Sequence, residues 1–346
     1  MSGALQSVLM NQRSTSVAVT NAIAIAHLTS PYVSVYPWTT GTGFGTKYAD
    51  PATLPGTRGN DVAFSPSGNA IAIAHTTSPF VSVYPWSAGF GTKYANPATL
   101  PTGTGNGVAF SPSGTDIAVA SSSTPYVSVY PWSAGFGTKY ANPATLPGGI
   151  GNDVAFSPSG NDIAVASTLT PFVSAYPWTT GTGFGTKYAD PATLPGTGNG
   201  VAFNPSGNAI AVSHGTAAPW IIVYPWSAGF GTKYADPATL PPGVGNGVAF
   251  SPSGTDIVVA HNTSPFVSAY PWSAGFGTKY ADPATLPTGT GGDAAFTRSG
   301  TAGTDIAIAH ATSPFVSVYP WSAGFGTKYA DPATLPTGTG FNVAFN

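Results

Sequence analysis

The sequence predicts an all-β protein, a seven-bladed β-propeller whose blades are four-stranded antiparallel sheets. The first observation is a repeated Tyr-Pro-Trp, whose tryptophans are spaced by 46 to 49 residues, close to the period of propeller blades. The second is an alternation of small and bulky apolar residues within each repeat, which is typical of β-strands. A unit of this length cannot bury its apolar faces alone, so neighbouring copies must stack. The seven tryptophans are Trp38, Trp86, Trp132, Trp178, Trp226, Trp272 and Trp321.

The second copy of the repeat shows the order of the elements. Residues 60–64 (NDVAF) predict a short inner strand, and the SPSG after them places proline and glycine where a tight turn needs them. Residues 70–74 (AIAIA) alternate with period two and predict the second strand. Residues 80–84 (FVSVY) predict the third, which should end at Pro85 because proline cannot donate to a ladder. Residues 91–95 (GTKYA) predict the fourth.

The ends of the chain predict how the propeller closes. The inner-strand motif occurs seven times, and its last copy is residues 342–345. We expect this copy to pair with Ala22–His27 and complete the first blade, which removes exposed sheet edges. A rival partner, residues 16–19, leaves a very short connection to the next strand. Residues 1–15 do not match the repeat, so we predict an N-terminal arm followed by a propeller domain over residues 16–346.

Composition limits the class of function. The chain has 346 residues, of which 42% are hydrophobic and only 6% charged, against roughly 25% charged in an average soluble protein. The net charge is −2 and the ten lysines and arginines are dispersed, which argues against a nucleic-acid partner. No apolar run reaches the roughly 18 residues of a membrane span, so membrane insertion is not expected. Cysteine is absent, so no disulfide framework exists.

The repeat resembles a known family. In order, VAFSPSG, IAIAH and FVSVYPW are similar to the core of the WD40 repeat, in which a Phe-Ser-Pro-Asp-Gly turn, a small-residue strand and a strand ending in Trp-Asp follow one another. The resemblance covers residues 16–346 and implies a propeller fold. Three departures weaken any inherited function: no Gly-His pair precedes the first strand, Pro-Trp replaces Trp-Asp, and serine replaces aspartate in the turn. The His–Asp network of that family is therefore not expected.

Two residue types recur in every repeat and are the candidate ligand-binding residues. The seven Tyr-Pro-Trp tryptophans could stack on a sugar or peptide in clefts between blades. The alternative is that they wedge between adjacent blades as core residues. One lysine per repeat could grip an anionic surface, or could protect an exposed outer edge. The lysines are Lys47, Lys93, Lys139, Lys187, Lys233, Lys279 and Lys328.

The sequence assembles no catalytic set. Five histidines follow the second strand, one per blade, so they are too dispersed for a metal site. Glutamate and cysteine are absent, and the insertions at residues 39–42, 179–182 and 301–303 carry no acid or base. The prediction is therefore a protein that is not an enzyme and uses no cofactor or metal. The histidines are His27, His75, His214, His261 and His310.

The predicted function is that of a non-enzymatic bacteriophage virion component. The arm MSGALQSVLMNQRS is similar to the openings of phage tail and other virion proteins. A polar surface without an export signal also fits a virus particle, with a cytoplasmic location as the alternative. The arm would bind other virion proteins, and the near-identical blades would present repeated surfaces to a host glycan with avidity. The alternative function is a bacterial lectin-like or protein-interaction scaffold.

Overall fold

The computed structural model describes residues 21–298 and 304–346. Within these ranges the chain forms 23 β-strands and no helix. In chain order the first twelve are β1 (Ala22–His27), β2 (Val33–Thr39), β3 (Gly43–Phe44), β4 (Gly59–Phe64), β5 (Ala70–His75), β6 (Val81–Pro85), β7 (Gly105–Phe110), β8 (Asp116–Ser121), β9 (Val127–Pro131), β10 (Gly151–Phe156), β11 (Asp162–Ser167) and β12 (Val173–Thr179). The remaining eleven are β13 (Gly183–Phe184), β14 (Gly198–Phe203), β15 (Ala209–His214), β16 (Ile221–Pro225), β17 (Gly245–Phe250), β18 (Asp256–His261), β19 (Val267–Pro271), β20 (Gly291–Phe296), β21 (Thr304–His310), β22 (Val316–Trp321) and β23 (Gly340–Phe345).

The strands form seven antiparallel sheets, which confirms the predicted seven-bladed propeller. Blade 1 has the strand order β23-β1-β2-β3, and blade 4 has the order β10-β11-β12-β13. Blades 2, 3, 5, 6 and 7 each contain three strands, β4–β6, β7–β9, β14–β16, β17–β19 and β20–β22. The innermost strand of each blade contacts that of the next, and β23 contacts β4, so the ring closes. These seven inner strands surround a central channel.

The predicted closure of the ring is also confirmed. Strand β23 pairs antiparallel with β1, with Ile23 opposite Phe345 and Ile25 opposite Val343. Just past this strand, the Asn346 N–H donates to the Ala22 carbonyl over 2.9 Å. The predicted arm and the rival strand at residues 16–19 lie outside the described residues.

The prediction of a full fourth strand is wrong in its position and length. In blades 1 and 4 the outermost strand is a two-residue Gly-Phe, and in blade 2 it is a single bridge between Trp86 and Phe90. Residues 91–95 follow the sheet edge with isolated hydrogen bonds, such as that from Tyr94 N–H to the Val83 carbonyl over 2.9 Å. The ladder stops there because Pro85, the facing residue on β6, has no N–H to donate.

Alternation along each strand sets how the blades pack. In β5, Ile71 and Ile73 join Trp86 of the same blade in one buried cluster with Ala22 and Ala24 of blade 1. Small side chains on one blade therefore receive bulky ones from the next. A shift of one residue would exchange the two faces, so the register is strongly specified.

Glycine begins every inner strand because the preceding blade approaches closely at that point. A Cβ on Gly105 would collide with the Phe80 carbonyl oxygen, and one on Gly59 would collide with that of Tyr32. These glycines lie at the same end of the channel in every blade. The residues that follow these glycines therefore form the channel mouth.

Candidate active site in the central channel

The seven Tyr-Pro-Trp tryptophans lie between neighbouring blades and are only 2–7% exposed. Trp86 is representative, with the rings of Tyr48, Phe64 and Phe90 packed edge-on at centroid distances of 5.1–5.6 Å. A sugar stacks on an exposed aromatic face, and these rings offer none. The geometry agrees with the wedge interpretation and gives the stacking prediction no support.

Four buried aspartates, which the sequence analysis overlooked, connect neighbouring blades. Asp116 accepts a hydrogen bond from the Tyr140 hydroxyl over 2.8 Å and one from the indole N–H of Trp178, in the next blade, over 3.2 Å. The same pairing of tyrosine and tryptophan recurs at three further aspartates, Asp162, Asp256 and Asp305. The other three blades carry alanine there: Ala22, Ala70 and Ala209.

The seven lysines follow the outermost strand of each blade, and each has a side-chain partner in its own blade. Each ammonium group contacts the side chain three residues later in its own blade. Five of these partners are aspartates, so the positive charge is neutralised within the blade. Lys93 and Lys139 instead contact Asn96 and Asn142. Five of the seven lysines are thus paired with an acid, and the anion-binding and edge-protecting roles both stay predictions.

The five histidines are buried and stay apart, one to a blade. His75 shares a hydrogen bond with Ser82 over 3.0 Å, and His27, His261 and His310 have equivalent serine partners. Burial lowers the pKa of all five to about 4. His214 differs, because Ile222 takes the place of the serine. Neither of its ring nitrogens has a partner in the described chain.

Five asparagines form a belt at the channel mouth, each at the second position of an inner strand. Each donates an amide N–H over 2.7–2.8 Å to the backbone carbonyl of the first glycine in the next blade. The belt therefore joins consecutive blades and leaves one N–H and one carbonyl oxygen per amide for other partners. Its members are Asn60, Asn106, Asn152, Asn199 and Asn246.

Three aspartates, Asp61, Asp153 and Asp293, occupy the next position along and line the same cavity. Asp61 accepts the N–H of Val62 over 2.8 Å and that of Val108, in the next blade, over 2.6 Å. Asp153 is held in the same way by its own blade and the next. We call these three residues the channel carboxyls.

Glycines in neighbouring blades make room for the channel carboxyls. A Cβ on Gly107 would lie 2.9 Å from Asp153 Cα, and one on Gly247 would lie 2.8 Å from Asp293 Cα. At these two junctions a glycine precedes the aspartate around the ring, whereas Asn342 of blade 1 lies between Asp293 and Asp61 and donates to Asp293 Oδ2 over 2.8 Å.

The channel carboxyls have raised pKa values. Burial raises the pKa of Asp153 to about 6. Burial, with a further contribution from the charge of Asp153, raises the pKa of Asp293 to about 7. Burial and the charges of the other two raise the pKa of Asp61. Carboxyl groups that titrate near neutral pH can both accept and donate protons, as acid–base catalysis requires.

The channel mouth departs from sevenfold repetition at Arg58, Gly292, Phe341 and Asn342. Phe341 and Gly292 stand where the other blades have the belt asparagine. The Arg58 guanidinium lies 3.9 Å above the Phe341 ring, within the range of a cation–π contact. In the described part of the chain no acidic group forms a salt bridge with Arg58. The mouth therefore has one cation and one apolar ring on the same side.

The site has two compartments. The inner one is a cavity of about 100 Å³ lined by the asparagine belt and the channel carboxyls. It widens into a vestibule of about 500 Å³ lined by Arg58, Phe341, Thr290 and Thr339. At the opposite end of the channel, phenylalanines and prolines surround Arg298. Arg298 donates to the carbonyls of Phe64 and Ser65 over 2.9–3.0 Å.

Sequence reasoning missed this site because it searched the repeats for sequence motifs and for changes in loop length. The informative signal was substitution at constant spacing: Gly292 and Phe341 replace the asparagine of a GNG or GND triplet, and Arg58 directly precedes that triplet in blade 2. Among the described residues, no three His, Cys, Asp or Glu side chains group as metal ligands. The same residues include no helix long and apolar enough to cross a membrane.

The chain resembles solved bacterial propellers along nearly its whole length. One is the periplasmic gluconolactonase of Pseudomonas aeruginosa, with a TM-score of 0.66, 14% identity, and 94% of this chain and 99% of that one covered. Another is a candidate 6-phosphogluconolactonase of Bacteroides fragilis, with a TM-score of 0.68, 13% identity and coverages of 96% and 99%. A Lactobacillus plantarum protein has a TM-score of 0.69 at 13% identity, with coverages of 94% and 99%. No protein-family profile matches the chain, and no curated protein matches its sequence.

These likenesses correct two predictions. The prediction of a bacteriophage virion component that presents glycan-binding surfaces is wrong, because the similar propellers are bacterial and two of the three are described as lactonases. The prediction that the chain is not an enzyme is contradicted by the same finding. At 13–14% identity the likeness itself establishes the propeller fold. The partners predicted for the arm stay predictions.

Proposed function

We propose that the channel mouth binds a small sugar lactone and hydrolyses it to the open-chain hydroxy acid. The observation that carries the proposal is that Asp153 and Asp293, with pKa values of about 6 and about 7, line one small polar cavity. This cavity opens where the sevenfold repetition is broken. The gluconolactonase description of a similar propeller supports the choice of substrate class.

The two carboxyl groups suit the two proton transfers of lactone hydrolysis. Asp153 has the lower pKa, so at neutral pH it is mostly ionised and can take a proton from the attacking water. The water oxygen bonds to the lactone carbonyl carbon, and the carbonyl oxygen becomes an oxyanion. Asp293, half protonated at pH 7, donates its proton to the ring oxygen as the carbon–oxygen bond breaks. Lactone and water thus give one hydroxy acid.

The asparagine belt supplies the remaining polar groups. Each belt amide retains one N–H after its contact with the next blade, and such donors stabilise a developing oxyanion. The belt carbonyl oxygens can accept hydrogen bonds from sugar hydroxyls. A polyhydroxylated substrate would therefore satisfy groups that the protein leaves open.

Replacement of either acid should abolish most of the activity. We expect Asp153→Asn and Asp293→Asn each to lower the rate by about 100-fold or more, the usual contribution of a general acid or base. The assay follows proton release from δ-gluconolactone in weak buffer, with the spontaneous rate subtracted. The matched control is Asp50→Asn, which makes the same change at an exposed carboxylate paired with Lys47 and should leave the rate unchanged.

The dependence of the hydrolysis rate on pH is a second test of the proposed roles of the two acids. Because Asp153 must be ionised and Asp293 protonated, the rate should be bell-shaped with apparent pKa values near 6 and 7. A wild-type rate equal to that of buffer would overturn the proposal. So would full activity in both asparagine variants.

Arg58 should select an anionic substrate. Its guanidinium has no carboxylate partner in the described chain and lines the vestibule, so a phosphate or carboxylate substituent can pair with it. We expect Arg58→Gln to raise the KM for 6-phosphogluconolactone by about 10- to 100-fold, the range of a charge-assisted hydrogen bond. The KM for unphosphorylated gluconolactone should stay the same. An equal change for both substrates would contradict the assignment.

A further inference from the structure

The junction between blades 2 and 3 lacks a carboxylate that four other junctions contain. In those four, a buried aspartate accepts one hydrogen bond from a tyrosine over 2.7–2.9 Å and one from a tryptophan of the next blade over 3.0–3.3 Å. Between blades 2 and 3 the corresponding residue is Ala70. Its methyl group is buried in the same cluster as Trp132 and Tyr94. The two donors are thus present without their acceptor.

The donors keep the same arrangement with or without the aspartate. The rings of Tyr94 and Trp132 meet edge-on, with centroids 5.2 Å apart and an interplanar angle of 89°. In the four junctions that contain aspartate, the corresponding values are 4.9–5.3 Å and 86–89°. In the described chain no residue accepts a hydrogen bond from the Tyr94 hydroxyl or the Trp132 indole. Their geometry is therefore preorganised for a carboxylate.

An open cavity lies at this junction. It has a volume of about 300 Å³, and both donors line it together with the polar groups of Ser65, Ser67 and Asn69. Blades 1 and 2 also meet at an alanine, Ala22, but there the Trp86 indole nitrogen is buried away from solvent and has no acceptor. A ligand can therefore reach the donor pair between blades 2 and 3 and cannot reach the one between blades 1 and 2.

We propose that this cavity binds a small organic carboxylate, whose two oxygens take the places that the aspartate oxygens take at the other junctions. One oxygen accepts from the Tyr94 hydroxyl and the other from the Trp132 indole N–H. The serine hydroxyls and the Asn69 amide contact the rest of the ligand. The inference is independent of the proposed lactone hydrolysis, because the cavity shares no lining residue with the channel mouth.

The experiment is an NMR titration of protein carrying ¹⁵N-labelled tryptophan, with acetate as the probe. The Trp132 indole N–H signal, assigned with Trp132→Phe, should shift saturably with acetate and stay in place with chloride at equal ionic strength. The Trp178 signal should not move, because Asp116 already occupies its acceptor position. Ala70→Asp supplies the carboxylate internally and should lower the acetate affinity at least tenfold. An unmoved Trp132 signal, or the same shift in Ala70→Asp, would overturn the proposal.

Removal of an aspartate from another junction should create a second carboxylate site of the same kind. Asp116→Ala removes the acceptor between blades 3 and 4, so the Trp178 signal should become responsive to acetate. Acetate should also restore part of the lost Tm in a saturable manner, which chloride should not. If Asp116→Ala does not fold, the comparison of wild type with Ala70→Asp is sufficient to test whether the cavity between blades 2 and 3 binds a carboxylate.

Discussion

Removal of residues 340–346 is expected to abolish the cooperative thermal unfolding of the protein. This segment contains β23, the inner strand of blade 1, and its loss exposes β1 along its whole length. It also removes Val343 and Phe345 from the core between blades 7 and 1. Loss of one buried phenylalanine alone costs about 3–5 kcal/mol. With the strand pairing included, the total is comparable to the whole stability of a typical domain, about 5–15 kcal/mol.

The measurement is differential scanning calorimetry together with the molar mass in solution. The truncated chain should show no sharp transition, and its exposed β1 edge should promote association. Deletion of Asn346 alone is the matched control, since it shortens the same terminus and spares the strand. That variant should lose about 1 kcal/mol, corresponding to its hydrogen bond to Ala22. A sharp transition in a monomeric truncated protein would contradict the closure mechanism.

The free energy of unfolding is expected to fall at acidic pH because the five buried histidines are neutral in the folded protein. Their pKa is about 4 in the folded protein and about 6.5 when exposed in the unfolded chain. Between these values the unfolded chain binds more protons, so stability must fall as the pH falls from 6.5 to 4. Each histidine should account for about 3 kcal/mol over this interval.

The channel carboxyls act in the opposite direction. The pKa of Asp293 is about 7 in the folded protein and about 3.9 in an unfolded chain. The folded protein therefore binds the extra proton as the pH falls through 7, which raises its stability. Asp153 contributes in the same sense. A test of the histidines must therefore change one histidine and leave these acids in place.

The chain itself supplies the matched variants, because blades 3 and 4 carry Ser121 and Ser167 where the others have histidine. Denaturant unfolding at several pH values should show that His75→Ser flattens the fall in stability between pH 6 and pH 4.5 by about 1.4 kcal/mol per pH unit, the value for one proton. Ser121→His should steepen it by a similar amount and gives the buried Ser128 hydroxyl a partner that it lacks. Parallel curves for wild type and both variants would show that histidine burial does not govern acid stability.

Most of the fold could be predicted from the sequence. Blade number follows from counting one motif, and register follows from the alternation of alanine with isoleucine, as in β5. The clasp between β23 and β1 follows because one strand of the first repeat is found at the far end of the chain. The outermost strand could not be read in the same way. Residues 91–95 have the composition of a strand. The facing residue Pro85 has no N–H, however, so it cannot donate the hydrogen bond that would extend the sheet.

The candidate site was much less accessible to sequence reasoning. Conspicuous residues such as Trp86 and Lys47 recur in every blade, but the first is buried and the second is paired within its own blade. Arg58 and Phe341 are single substitutions within glycine-rich segments, and Asp153 shares its position with glycine in three other blades, so none of them stands out along the chain. They become neighbours only when the ring closes and the inner strands converge on one axis.

The sequence by itself therefore determined the period, the number of blades, the strand register and the way the ring closes. These depend on local alternation and on the order of motifs along the chain. The tertiary structure alone decided which polar groups come together: Trp178 donates to Asp116, and Asp153 and Asp293 line one cavity. The residues in each pair lie one or more repeats apart along the chain. The distance between them in space is set by the twist of the blades and the closure of the ring. Neither can be read from the spacing of residues along the chain.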